Sequence, residues 1–131
     1  MISDEEIKGQ MRKYIISSGI LSSVNGAFIT TTRPENSCKE DVVISVLDNR
    51  NDEFQQITIN VNVYVRDINP QGYYEEDGLR LKELSLKCKT LFDKKSLDLL
   101  LFSEYQQRVF KNESTNEHFI NNKIIYKFYN E

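Results

Sequence analysis

The sequence is short of the residues from which most active sites are built. It has one histidine, two cysteines, no tryptophan, five glycines and two prolines in 131 residues. With His118 alone, a multi-histidine metal site is excluded and a Ser-His-Asp triad has one place to be. His118 stands at the start of a strand beside a polar turn, where a solvated side chain is expected. Cys38 and Cys88 are far apart with no second pair, so neither a disulfide framework nor a zinc site follows, and free thiols are expected. The glycines Gly9, Gly19, Gly26, Gly72 and Gly78 stand singly, without a phosphate-binding loop. Few prolines and glycines, with 39% apolar and 28% charged residues, argue against disorder and fibre and for one folded domain over residues 1–131.

Long apolar runs are also missing. Leu99-Leu100-Leu101-Phe102 is the longest, far below the roughly 18 residues of a membrane span, and Met1-Ile2-Ser3-Asp4-Glu5-Glu6 is acidic where a signal peptide is basic. A protein of the cytoplasm is expected, with no membrane partner. A net charge of −3 and pI near 5.3 lack the basic surplus of a nucleic-acid footprint, so no direct nucleic-acid specificity is expected. Lys82, Lys87, Lys89, Lys94 and Lys95 read as the wet side and exit of an amphipathic helix.

What is present is strong periodicity. Ser3 and Glu6 fit a capping box, Asp4, Glu5 and Glu6 suit a helix N-terminus, and Ile7, Met11, Tyr14 and Ile15 recur at helical spacing before Gly19 stops the helix. A short strand at Ala27-Phe28-Ile29-Thr30 is followed by a polar loop, Thr31 to Lys39. Asp41 to Leu47 is β-branched and forms a second strand, and Asp48-Asn49-Arg50-Asn51-Asp52 reads as a turn. Ile57, Ile59, Val61, Val63 and Val65 then alternate without a miss against Thr58, Asn60, Asn62, Tyr64 and Arg66. Such strict alternation belongs to an antiparallel sheet covered on one side. After Asn69-Pro70-Gln71-Gly72, and an acidic lead-in at Glu75-Glu76-Asp77, a second helix carries Leu81, Leu84, Cys88 and Leu91 on one stripe. Leu97 to Phe102 is ambiguous. A strand is read from about Phe102 through Lys111, a turn at Ser114-Thr115-Asn116, and a closing strand with Ile120, Ile124, Tyr126 and Phe128 on one parity. The fold class is α+β, a mostly antiparallel sheet with two helices on one face, in the order α-β-β-β-α-β-β. The valine-rich face of the long strand is expected to pack on Ile7, Met11, Leu84, Cys88 and Leu91.

Candidate chemistry is sparse. Asp48, Asp52 and Glu53 have an acidic spacing, but Arg50 stands where a calcium loop needs an oxygen ligand and the loop glycine is missing. Asp41 and Glu53 on neighbouring strands are the one pair that fits a small metal-dependent nuclease, which also needs a basic groove. No catalytic residue, metal or cofactor is assigned. Tyr64 and Arg66 are of types enriched at protein interfaces, and Thr58, Asn60 and Asn62 can hydrogen-bond across a wet contact. With Asp48, Asp52, Tyr73 and Tyr74 in the flanking loops, these form the candidate protein interface.

The N-terminal helix, the polar loop with Thr32-Arg33-Pro34, the strand Asp41-Val42-Val43-Ile44-Ser45, the long alternating strand, the leucine-rich helix and the closing run His118 to Phe128 together resemble the small tail-completion, or tail-terminator, proteins of long-tailed bacteriophages and prophages. The resemblance implies a helix pair on one face of an antiparallel sheet. It also implies several copies in a ring that caps the tail tube and meets the head-tail connector. The partners would then be further copies of the chain, the tube and the connector, and the location first the bacterial cytoplasm and then the virion. The family has no catalytic residues to carry over. A cytoplasmic protein-binding adaptor and, more remotely, the small nuclease are the rival readings.

Overall fold

A computed structural model describes residues 2–29, 32–52, 54–93, 96–97 and 100–129, the side chains of 96–97, 100–103 and 128–129 excepted. The first helix, α1, is Asp4–Ser18, and its start is the one the sequence spells out. Ser3 Oγ accepts from the Glu6 N–H at 3.2 Å, while the Glu6 carboxylate accepts from the Ser3 N–H. The helix ends at Gly19, whose φ of +77° is the left-handed cap that glycine adopts without strain. A 3-10 turn, Ile20–Ser23, leads to β1, Phe28–Ile29. The remaining elements are β2 (Val42–Asn51), β3 (Phe54–Arg66), α2 (Gly78–Phe92), β4 (Ser96–Leu97), β5 (Leu100–Asn112) and β6 (Glu117–Tyr129).

The strands form one sheet in the order β1-β2-β3-β6-β5-β4. Every pairing is antiparallel except β1 with β2, which is parallel. The fold is thus the α+β arrangement expected, with a two-residue β4 added before the last hairpin. Both helices lie on one face. Ile7, Met11 and Ile15 of α1, and Leu84, Cys88 and Phe92 of α2, share a single core with the odd-numbered valines and isoleucines of β3 and with Ile120, Ile124 and Tyr126 of β6. Phe128, expected on the same row, lies outside the residues whose side chains are described, as do Lys94 and Lys95.

Two boundaries differ from the sequence reading. Residues Asp48 to Asn51 are strand, paired with Thr58 back to Gln55, so of the expected turn only Asp52 lies outside β2; Glu53 is outside the described residues. The physical reason is a tertiary anchor. Gln55, fully buried, accepts from the Ile2 N–H at 2.9 Å and donates to the Ile2 carbonyl at 2.7 Å and to Asn49 Oδ1 at 2.7 Å. Asn49 in turn donates to Asp4 Oδ1 at 2.7 Å, so these polar residues hold an extended ladder that their own propensity would not. A bulge at Leu47 takes up the change in register. β5 begins at Leu100, not Phe102, which settles the ambiguous apolar run as strand on its second half. No helix among the described residues is long and apolar enough to cross a membrane.

Candidate functional site

The face of the sheet turned away from the helices carries the candidate interface, and the structure sorts its members. Thr58, between Asp48 of β2 and Ile125 of β6, is buried at 5% exposure and takes no part in an outer surface. Asn60 and Asn62 are half-buried, with Asn62 Oδ1 accepting from Asn121 Nδ2 of β6 at 2.7 Å, and Arg66 is exposed. Tyr64 is not the free anchor its residue type implied. It is half-buried in a row that crosses three strands: the Arg33 guanidinium carbon lies 3.9 Å from the centre of the Tyr64 ring, Tyr64 stacks on Phe119 at 5.3 Å, and Phe119 on Phe110 at 5.7 Å. Arg108 closes the far end, 5.1 Å from the centre of the Phe110 ring. Cations over ring faces at both ends, and tilted rings between, are each favourable arrangements.

Arg33 reaches this row because the polar loop folds back over the sheet. Its Nε donates to Asp41 Oδ2 at 2.6 Å, its Nη2 to Glu117 Oε2 at 2.9 Å and to the Lys39 carbonyl at 3.0 Å, and its Nη1 to Glu117 Oε1. Asp41 and Glu117 are almost completely buried, at 1% and 2% exposure. Burial alone would raise the Asp41 pKa, but hydrogen bonds from Ser37 Oγ, the Ala27 N–H and Arg33 outweigh it and hold the carboxyl below its usual range. Glu117 is held down in the same way against its own burial, by Arg33, Thr115 and Asn112. The only sequence signal for this clamp was an arginine among polar residues, which is common to most loops.

The flanking loops project as expected in part. Asp52, Tyr73 and Tyr74 are exposed, the tyrosines at 57% and 48%. Asp48 is in β2 and pairs with Arg50 at 2.8 Å, so it is a strand residue and not a loop contact. Residues 68–75 make a narrow excursion closed by reciprocal Ile68–Glu75 backbone bonds of 2.9 Å, with Gly72 at φ +86° allowing the turn. His118 is half-buried and partnered, where a solvated side chain was expected: its Nδ1 lies 2.7 Å from Asp67 Oδ1, with Glu76 at 3.9 Å from Nε2.

Other polar groups are committed to structure. Asp41, half of the nuclease pair, has Oδ1 taken by the Ala27 N–H at 2.8 Å and Oδ2 by Arg33 and Ser37, leaving it no role as a metal ligand without dismantling the clamp. Glu53 lies outside the described residues. Among the described residues no three His, Cys, Asp or Glu side chains come together as a metal would require. Cys88 is buried on the core side of α2 and its pKa is pushed up to about 11 by desolvation, so it stays a thiol at neutral pH. Cys38 is exposed. The enclosed space between α2, the 3-10 turn and the sheet is about 10 Å³ and apolar-lined, at the lower limit for one water and without room for a substrate.

One buried polar cluster escaped the sequence reading. Asn122 occupies a core-facing position of β6 at 0% exposure. Its Oδ1 accepts from the Tyr105 hydroxyl at 2.7 Å, and its Nδ2 donates to the Val61 carbonyl at 3.0 Å. Gln107 Nε2 joins the cluster and reaches the Ser85 carbonyl of α2 at 2.9 Å, tying helix to sheet. No family model matches this sequence, and no curated protein matches it.

Proposed function

We propose that the chain is a structural component of a long-tailed phage or prophage particle, oligomerising at the head-tail junction or tail end and acting by contact with other copies, the tail tube and the connector. The observation that carries this reading is the one-sided layering. Both helices sit on one face of a sheet whose β3, β5 and β6 are each 13 residues long; on the opposite face, among the described residues, the Arg33 loop covers one end, and amide and charged side chains such as Asn60, Asn62, Glu104, Gln106 and Arg108 flank the Tyr64–Phe119–Phe110 row. A surface of that kind keeps a free subunit soluble and still hydrogen-bonds in a wet contact. The element order on which the resemblance to tail-completion proteins rests is also the order of the fold. Solvent-exposed Arg66, Tyr73 and Tyr74, at one end of the sheet, supply the side-chain types that anchor protein contacts.

The test changes exposed groups only. Arg66→Glu combined with Tyr73→Ala and Tyr74→Ala should leave the circular dichroism spectrum and melting temperature of the parent intact and abolish incorporation of the protein into tails. If the triple variant is incorporated as well as the parent, this end of the sheet is solvated surface and the reading loses its support. Tyr64 is unsuited to such a test, because truncating it would open the stacked row beneath Arg33.

A further inference from the structure

The two long edges of the sheet differ. β2 is shielded: β1 covers Val42 and Val43, a bulge at Leu47 breaks the ladder, and the Ile2–Asp4 segment is tied to Asn49. Such features are what keeps an edge strand from pairing. Among the described residues, β5 is covered on its outer side only at Leu100 and Leu101, by β4, and its register with β6 runs without interruption from Glu104 to Asn112.

Hydrogen bonding fixes which groups β5 presents. The Tyr64 N–H bonds to the Asp41 carbonyl on the β2 side, and the Asp67 N–H to the Asn116 carbonyl on the β6 side. Even-numbered residues of β3 therefore bond toward β2 and odd-numbered ones toward β6. Carried across the registers Val63↔Ile120 and Phe119↔Phe110, this alternation uses the even-numbered residues of β5 for β6. The N–H and C=O groups of Tyr105, Gln107 and Val109 point out of the open edge.

We infer that the β5 edge is a self-association site that pairs antiparallel with β5 of a second copy of this chain, in the register centred on Gln106. In this register Tyr105 of one copy stands opposite Gln107 of the other, and each such pair exchanges both N–H···O=C bonds from the outward-pointing groups. Glu104 then stands opposite Arg108 of the second copy, and Arg108 opposite its Glu104. Both Glu104 and Arg108 are exposed, and both lie on the face away from the helices. They fall at the non-hydrogen-bonded positions, where facing side chains approach most closely and opposite charges stabilise a pair. Hydrogen bonding allows any register centred on a residue of β5, but a centre at Glu104 or Arg108 sets like charges face to face and a centre at Tyr105 or Gln107 sets neither charge opposite its counterpart, so charge selects the Gln106 register. The twofold axis runs perpendicular to the sheet, which keeps the helices of both copies on one side; the ladder between copies is confined to the stretch from Glu104 to Arg108, because Lys111 of the second copy would otherwise stand opposite Leu101, where β4 already pairs. This contact does not rest on the virion reading and leaves the surface around Arg66 free.

Sedimentation equilibrium on the full chain at low salt, over a concentration series, tests it. The parent is expected to dimerise, less strongly as salt is added. E104R and R108E alone each convert both attractive pairs to repulsive ones and should weaken the dimer by about tenfold or more. The double exchange, E104R with R108E, restores both pairs in reversed sense and should return the dissociation constant to near the parent's. Amide exchange gives a second readout in the unmodified chain, with the Tyr105 and Gln107 N–H groups protected at high concentration and exposed on dilution. A parent that stays monomeric, single variants that associate like the parent, or a double variant no tighter than the singles would each overturn the inference. A failure of tail incorporation with normal dimerisation would count against the proposed function alone.

Discussion

At the scale of single residues, the stability of this protein depends on where a few charges are buried. Arg33 neutralises two carboxylates that are almost out of water, and removing one partner from such a group costs about 3–5 kcal/mol because the remaining charge is left uncompensated. Asp41 and Glu117 both have pKa values below their ordinary ones, so in the unfolded chain they take up protons at a higher pH than in the folded protein. Their contribution is therefore fully present above the unfolded values, about 4. It is lost as the pH falls from there through the folded values. Urea denaturation from pH 7 down to pH 2 should show the midpoint falling below about pH 4 in the parent. Replacing Asp41 with Asn should flatten part of that slope and lower the plateau at neutral pH, and an unchanged slope would show that Asp41 is not a source of the acid sensitivity. Legibility also varies at this scale. Ser3 and Glu6 were readable because the cap is local, whereas Asn122 sits on the core row between Ile120 and Ile124 and its partners Tyr105 and Gln107 come from a neighbouring strand. No spacing rule predicts that satisfaction.

Elements were legible in proportion to how much of their structure comes from their own periodicity. β3 shows the full alternation because one face is core and the other is open, and α2 shows its stripe for the same reason. The far end of β2 was misread, since Asp48, Asn49, Arg50 and Asn51 have the composition of a turn and are held as strand by β3 and by the Gln55–Ile2–Asn49 network. β1 is fixed by a close approach. A β-carbon added at Gly26 would fall 2.3 Å from the Glu40 carbonyl carbon, so only glycine lets this segment lie against the start of β2. The neighbouring Glu40 is held by Arg80 of α2 at 2.5 and 2.6 Å, and Asn25 Oδ1 accepts from the Glu40 N–H at 2.8 Å. Gly26→Ala must therefore shift backbone that also positions the helix-to-sheet ion pair. It should cost about 1–3 kcal/mol, the usual penalty for overpacking. The melting temperature of Gly26→Ala, compared with that of Gly9→Ala, where an added β-carbon meets nothing, checks this, and equal values for the two would contradict it.

For the molecule as a whole, the sequence reading and the structure agree on an α+β fold with both helices on one face of the sheet, and the proposed function places the contacts on the other face. Its members proved unequal. Thr58 is closed off, Tyr64 is locked into a stacked row, Asp48 is absorbed by β2, and Arg66 with the exposed Tyr73 and Tyr74 remains as free contact surface. Those differences were invisible in the alternation because Arg33, which covers Tyr64, comes from a loop whose path the sequence does not specify. The proposed role, assembly at the tail end or head-tail junction, is tested most directly by electron microscopy of particles produced in the presence and absence of this chain. Particles made without it should show tail tubes lacking an end ring and not joined to heads, with joining restored when the purified protein is added back. Complete, joined and infectious particles made in its absence would contradict the proposal.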